Sequence, residues 1–368
     1  MVDALKKIDR KFLILIVCII LLPIVLIIFL ALVRGCSNRK TTYDNYEKKM
    51  VSAAEKYFGD NLPTAEGEVL KVDLDTLVEK KLVKSYKKAL GEECTGEVIV
   101  RRTGASVEST NGGYLNYIYT LNCENYTTTH LKDKIMSDVV TSESGLYKVG
   151  DRYIFRGDKV RNYVEFFGKS YRIVSLDQNG IIKLVRSEVE DVSRLWDNKF
   201  NSEANATYGK TIYKDSAILN YILTNYKNSK KFSKSARKHL VPYSVCVGKR
   251  STEDYRISNE VDCSEKLDNQ LVSLLNISDF AMASTDLECD STISKSCRNY
   301  NYLYGVASST WTLNTVKENT YEVFLLSSGL QSYEKANSYS EYSVVIYVDG
   351  NEPYMSGNGT KENPYIIK

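Results

Sequence analysis

The hydrophobic pattern begins with an apolar run from Phe12 to Val33 that contains no charged side chain. As a helix, a run of this length would span about 33 Å, which matches the roughly 30 Å hydrocarbon core of a bilayer. The apolar part of a cleavable signal peptide is shorter, about 7–15 residues, and this run ends directly at Arg34. The pattern therefore predicts an uncleaved transmembrane helix over residues 12–33.

The charges that flank this run predict its orientation. The preceding flank is slightly more cationic than the following one: Lys6, Lys7, Arg10 and Lys11 against Arg34, Arg39 and Lys40. The positive-inside rule then places the N-terminus in the cytoplasm and the rest of the chain outside the cell. An alternative is a lipoprotein, because Val33 to Cys36 has the shape of a lipobox, although Arg34 disfavours it. Lipidation of Cys36 stays open.

Beyond the run and its edge, the chain carries an even set of cysteines: Cys94, Cys123, Cys246, Cys263, Cys289 and Cys297. Six cysteines allow fifteen pairings, and pairing each with its neighbour along the chain is the simplest of them. Disulfides persist in oxidising compartments. The cysteines thus predict three neighbouring disulfides and an extracellular location.

From residue 41 onward the pattern alternates between helical and strand periodicity. It predicts, in order, a helix over 44–58, a strand over 68–72, a helix over 73–83, and strands over 97–102 and 114–122. These elements form a small α+β domain over residues 41–130, after a stub and anchor over 1–40. Their layout loosely resembles the globular part of type IV pilin-like proteins, although the chain lacks that family's processing site.

Residues 131–144 are interpreted as a linker, and the pattern then becomes mostly β. Strands are predicted over 153–155, 164–167, 170–176 and 181–186, and Asp215 or Ser216 caps a helix. These segments belong to a second domain over residues 145–368.

Several blocks of this second domain carry a family resemblance when taken in order: Tyr153 to Ser187, Ser273 to Ser284, Trp311 to Thr315, Tyr321 to Tyr333, Tyr342 to Gly350 and Ser356 to Lys368. Together they resemble uncharacterised membrane-anchored surface proteins of Firmicutes and Mollicutes type, whose C-terminal domain is C-type-lectin-like and related to formylglycine-generating-enzyme-like domains. The chain departs from their Gly-Val-Arg-Pro-Val-Ile strand, because Glu341 to Val344 holds neither the Arg nor the Pro. The resemblance implies a C-type-lectin-like domain.

The expected fold class is therefore α+β. It comprises a single N-terminal transmembrane helix, a small α+β domain, and a larger C-type-lectin-like domain of mixed helices and sheet.

Tyrosine is abundant, with 28 residues, which suits a recognition surface but also follows from the codon usage of an AT-rich genome. The predicted ligand-binding set is aromatic: Tyr300, Tyr302, Tyr304, Trp311 and Tyr321. In an extended strand, Tyr300, Tyr302 and Tyr304 would share one face. Trp311 lies in a strand pattern and is also a candidate for the core.

A basic stretch forms a second candidate surface, for an anionic wall polymer or lipid head groups: Lys230, Lys231, Lys234, Arg237 and Lys238. The alternative is the solvated face of a helix. The formal net charge of the whole chain is only +3, so no nucleic-acid partner is expected.

Catalytic patterns are weak. His130 and His239 stand apart from other metal-ligating residues, and no nucleophile and base occur in a recognisable order. We expect no metal, no cofactor and no catalysis. Asn351-Glu352-Pro353 resembles part of a calcium-lectin motif, but it lacks the Asn that follows in that motif.

The leading interpretation is a surface-displayed, membrane-anchored binding protein that recognises a carbohydrate, cell-wall or protein ligand through its C-terminal domain. One alternative is an envelope scaffold that acts through the pilin-like domain. Another is an enzyme on a formylglycine-generating-like fold, and the oligomeric state stays open.

Overall fold

The computed structural model describes residues 42–65, 68–103, 114–189, 192–198, 211–227 and 232–367. These residues divide into two compact units. The first contains described residues as far as Gly59, Val72–Val98 and Thr120–Thr127, and the second contains Asp60–Lys71, Ile99–Tyr119 and the chain from Thr128 onward. The domain boundaries drawn from the sequence remain predictions.

The helix predicted over 44–58 is present, since residues 42–58 are helical (α1). Its buried positions include Tyr46, Met50, Ala53 and Ala54, which recur at helical spacing on one face. The next elements are β1 (Val69–Asp73), α2 (Leu74–Glu79), α3 (Tyr86–Ala89), β2 (Cys94–Thr103) and β3 (Tyr114–Cys123). The three strands form a sheet in the order β1–β2–β3.

The helix predicted over 73–83 is shorter than its apolar spacing suggested. It ends at Glu79, because Lys81 adopts a left-handed conformation with φ of 58°. The backbone N–H of Leu82 then donates to the Leu77 carbonyl, which closes the helix end. Leu77 and Val83 stay buried without a continuous helix.

Strands are the main regular elements of the second unit. Its strands are β4 (Gly145–Val149), β5 (Arg152–Arg156), β6 (Tyr163–Phe166), β7 (Lys169–Leu176), β8 (Ile181–Arg186), β9 (Arg194–Leu195), β10 (Tyr243–Cys246), β11 (Lys249–Arg250), β12 (Lys266–Gln270), β13 (Val272–Ser273), β14 (Trp311–Val316), β15 (Glu322–Ser327), β16 (Leu330–Lys335), β17 (Tyr339–Ser340), β18 (Val345–Asp349), β19 (Tyr354–Ser356) and β20 (Tyr365–Ile367). The four strands predicted over 153–186 correspond to β5 to β8 and are confirmed.

The largest sheet has the order β13–β18–β8–β7–β6–β20–β19, and β5 joins it by pairing with both β4 and β7. Pairing is antiparallel except between β20 and β6, which run parallel. A second sheet has the order β11–β14–β15–β16. All six residues of β14 are buried, and the Trp311 indole donates to the Arg194 carbonyl at 2.7 Å.

The helices of this unit are α4 (Leu131–Met136), α5 (Ala217–Lys227), α6 (Lys234–Lys238), α7 (Asn259–Asp262), α8 (Ile277–Met282) and α9 (Tyr304–Ala307). Ser216 caps α5 as predicted, since its Oγ accepts from the Leu219 N–H at 3.2 Å. Ile218 and Ile222 are buried on the predicted face.

The predicted α+β fold class is wrong. Strand residues outnumber helical residues in the described part, and apart from α1 and α5 its α-helices have four to six residues each. Helices this short gain little stability on their own. The sheets instead join segments far apart in the chain, such as β6 with β20. The local hydrophobic period of a segment does not predict which distant strand it pairs with. No helix in the described part is long and apolar enough to cross a bilayer, and the predicted membrane helix over 12–33 lies outside the described residues.

All three predicted disulfides are confirmed. The Cα–Cα distances are 4.1 Å for Cys94–Cys123, 4.3 Å for Cys246–Cys263 and 4.6 Å for Cys289–Cys297. Each bond joins cysteines that are neighbours along the chain. The first bridges the outer ends of β2 and β3.

Candidate functional site

An open cleft in the second unit is the main candidate for a binding site. Its volume is about 680 Å³, within the usual range of roughly 300–1,000 Å³ for ligand pockets. The lining residues are Thr141, Ser142, Glu143, Ser144, Tyr147, Arg156, Lys159, Thr285, Leu287 and Tyr300. A more enclosed pocket beside α5 holds only about 70 Å³, which is too little for such a ligand.

One wall of the cleft comes from the β4–β5 hairpin. Tyr147 pairs with Ile154, and Gly145 pairs with Arg156, so Tyr147 and Arg156 are diagonal neighbours on one face. The Arg156 guanidinium carbon lies 5.1 Å from the centre of the Tyr147 ring, a cation–π distance. Its Nε and Nη2 both donate to the Ser284 carbonyl, at 3.0 and 2.8 Å. Arg156 is thus held in one orientation.

The opposite rim is the loop from Thr285 to Tyr300, which the Cys289–Cys297 disulfide braces. Its ends are tied together, since the Thr285 N–H donates to the Tyr300 carbonyl at 3.3 Å and Asn299 Nδ2 donates to Asp286 at 2.7 Å. The Asn299 hydrogen bond, joined by one from the Glu288 N–H, lowers the pKa of the Asp286 carboxyl. The disulfide and these hydrogen bonds within the loop therefore hold residues 285–300 in place.

Two exposed side chains of this ordered rim line the cleft. Leu287 is 99% exposed and Tyr300 is 61% exposed. Tyr300 also has a φ of 45°, a left-handed conformation that residues other than glycine seldom adopt. Strained residues of this kind concentrate at ligand sites, where the surrounding structure holds them in place. The cleft therefore combines an apolar side chain and an aromatic ring on a fixed support.

Removing the Cys289–Cys297 bond should destabilise the protein modestly. A Cys289→Ala/Cys297→Ala variant should lose about 2.5 kcal/mol of unfolding free energy, because the sequence separation of 8 closes only a short loop. Urea unfolding of the oxidised protein measures this loss. Leu287→Ala, in the same loop, should change stability by less than about 0.5 kcal/mol since its side chain is exposed. An unchanged urea midpoint in the cysteine variant would contradict the expectation.

The structure separates the predicted aromatic set. Tyr300 lines the cleft, Tyr302 is only 5% exposed, Tyr304 is 42% exposed, Trp311 is buried, and Tyr321 is half-buried. The extended strand predicted through Tyr300, Tyr302 and Tyr304 is wrong, because Tyr300 is left-handed and α9 begins at Tyr304. Trp311 packs in the core, which was the alternative for that residue.

The basic stretch is also divided. Lys230 and Lys231 lie outside the described residues, whereas Lys234 and Lys238 are exposed on α6. Arg237 is buried, with its guanidinium 5.7 Å from the Tyr226 ring. Arg237 therefore does not share the exposed surface of Lys234 and Lys238. Contact with an anionic polymer or lipid through the stretch stays a prediction.

Sequence reasoning missed most of the cleft. Tyr147 and Arg156 come together only through the register of β4 with β5. Leu287 carried a weak signal, since it is a lone apolar residue between Asp286 and Glu288 near a cysteine pair. An apolar residue in so polar a loop has no local partner to bury it.

Neither histidine contributes to the cleft. His239 Nδ1 lies 3.0 Å from Glu352 Oε2, and Glu352 is buried and also accepts from Asn116 Nδ2 at 2.6 Å. Glu352 of the Asn351-Glu352-Pro353 segment is therefore buried and bonded within the protein, and is not exposed as a calcium-lectin ligand would be. In the described ranges, no group of His, Cys, Asp and Glu side chains is placed to hold a metal ion.

The cleft can supply hydroxyl groups, two cations, two tyrosine rings and one exposed leucine to a ligand. This combination supports binding through stacking, hydrogen bonds and ion pairs. Comparison with known proteins finds no matching family model, no similar curated protein and no similar solved structure. The resemblance to the bacterial surface proteins thus remains a prediction from sequence.

Proposed function

We propose that the chain is an extracytoplasmic binding protein that takes a saccharide in the cleft between the β4–β5 hairpin and the disulfide-braced loop. The observation that carries this proposal is the exposed, rigidly supported Tyr300 beside a polar cleft of about 680 Å³. A tyrosine ring offers an apolar face to a ligand at little cost in conformational entropy. The Tyr300 ring is already held in position, so no segment has to fold before the ligand binds.

A saccharide fits the lining better than a purely apolar ligand does. The hydroxyls of Thr141, Ser142 and Thr285 each donate and accept hydrogen bonds, as sugar hydroxyls do. Tyr300 provides a ring surface for the C–H face of a sugar, and Tyr147 supports Arg156 beside it. The cleft is open to solvent, which suits a polymer that extends beyond the site.

An extracytoplasmic location is supported by the three disulfides, because such bonds are rare in reducing compartments. The predicted membrane anchor over 12–33 is not needed for binding in the cleft and stays a separate sequence-based prediction.

Binding of the purified full-length protein to a glycan array and to isolated Gram-positive cell walls tests the proposal. We expect saturable binding that Tyr300→Ala weakens about tenfold or more, as for other exposed aromatic anchors. Tyr304→Ala is the matched control, since Tyr304 is also exposed but does not line the cleft. Absence of saturable binding by folded protein, or equal losses in both variants, would overturn the proposal.

A further inference from the structure

The cleft carries two cationic side chains, Arg156 and Lys159, against a single acidic lining residue, Glu143. We propose that its ligand is an anionic saccharide, whose carboxylate or phosphate groups are received by Arg156 and Lys159. This inference rests on the proposed function and names the class of saccharide that the same site takes.

The orientation of Arg156 is suited to an anion. Its Nε and one edge of Nη2 are occupied by the Ser284 carbonyl, and its plane lies over the Tyr147 ring. The opposite edge, formed by Nη1 and the second hydrogen of Nη2, remains for a ligand. A planar pair of N–H groups matches the two oxygens of a carboxylate or phosphate. Because the guanidinium is already fixed, little side-chain entropy is lost on binding.

Lys159 is positioned three residues further along the chain. Its backbone N–H donates to Ser144 Oγ at 3.4 Å, while its side chain is exposed at the cleft. Neither Lys159 nor Arg156 forms an ion pair with another residue of the described chain. A flexible ammonium beside a fixed guanidinium can follow charges that repeat along a polymer.

The nearby acids are engaged within the protein. Asp158 accepts from Ser144 Oγ at 3.2 Å, and Asp286 accepts from Asn299 and from the Glu288 N–H. Glu288 itself accepts from Ser296 Oγ at 3.4 Å. These hydrogen bonds fix the three carboxylates in the turns that contain them but leave their charge. None of the three lines the cleft, so the charged groups of the lining are Arg156, Lys159 and Glu143.

The test titrates the full-length protein with three probes: polygalacturonate, a ribitol phosphate polymer and the neutral polymer dextran. We expect at least one anionic polymer to bind tenfold or more tightly than dextran, and added NaCl to weaken that binding. The two anionic probes show whether carboxylate or phosphate is preferred.

Variants then locate the charge. Arg156→Gln should weaken binding of the anionic polymer about ten- to hundredfold, the usual loss for a hydrogen-bonded charge. Lys159→Gln should weaken it in the same direction, and urea unfolding confirms that both variants fold. Lys148→Gln is the matched control, because Lys148 is exposed on β4 next to Tyr147 but outside the cleft lining.

Equal affinity for dextran and both anionic polymers would overturn the anionic assignment and leave saccharide binding intact. The same result follows if Arg156→Gln and Lys159→Gln bind like Lys148→Gln. Failure of the protein to bind any polymer or glycan would instead overturn the proposed function itself.

Discussion

Arg250→Met should lower the free energy of unfolding by about 3–5 kcal/mol, the usual cost of breaking a buried ion pair. The Arg250 side chain is fully buried, with Nη2 2.8 Å from Asp262 Oδ1. It also donates to Ser278 Oγ and to the carbonyls of Asp254 and Arg256, at 2.9–3.0 Å. Methionine fills a similar volume but replaces none of these bonds.

The loss of unfolding free energy is large because the buried Asp262 carboxylate remains without its cation. Asp262 is buried, and it also accepts from Asn314 Nδ2 at 2.9 Å and from the Ser278 N–H at 3.3 Å. Burial raises the pKa of the Asp262 carboxyl, and Arg250 acts in the opposite direction. Without Arg250, the folded state must hold an uncompensated carboxylate or protonate it, and either change costs free energy.

Denaturant unfolding of Arg250→Met beside Arg256→Met measures the effect. Arg256 Nη2 lies 2.6 Å from Asp254 Oδ2, but its side chain is 73% exposed, so solvent screens the ion pair and the variant should unfold close to the wild-type midpoint. The two variants make the same substitution six positions apart. Similar small losses in both would show that the buried pair does not stabilise the fold as described.

Tyr302→Ala should cost about 3–5 kcal/mol, the range for removing a large buried aromatic side chain. Its ring lies 4.8 Å from the Arg172 guanidinium, and its hydroxyl donates to the Ile173 carbonyl at 3.2 Å. Burial also raises the pKa of the Tyr302 hydroxyl, in keeping with a fully enclosed side chain. The alanine variant would leave a cavity, and the Ile173 carbonyl would lose this hydrogen bond and keep the one from Asn162 Nδ2.

Tyr300→Ala, two residues earlier, should change stability by less than about 0.5 kcal/mol because the Tyr300 side chain is exposed. Thermal and urea unfolding of the two variants compare them directly. If Tyr300→Ala proved as destabilising as Tyr302→Ala, the assignment of one tyrosine to the cleft and the other to the core would be wrong.

The sequence predicted the disulfides and several local elements correctly. Cysteine pairing followed simple adjacency, and β5 to β8 followed their alternation, because both features depend on residues close together in the chain. The helix predicted over 44–58 is present at residues 42–58 for the same reason, since its buried residues recur at a fixed local spacing. Of the predicted ligand residues, Tyr300 lines the cleft.

By itself, then, the sequence determined the covalent links and several of the longer regular segments. The tertiary structure alone decided what those segments build. Strand register brought Arg156 over Tyr147, and a left-handed Tyr300 turned that ring outward while Tyr302 entered the core. The partners of a side chain are set by pairing between distant segments, and no local period in the chain records them.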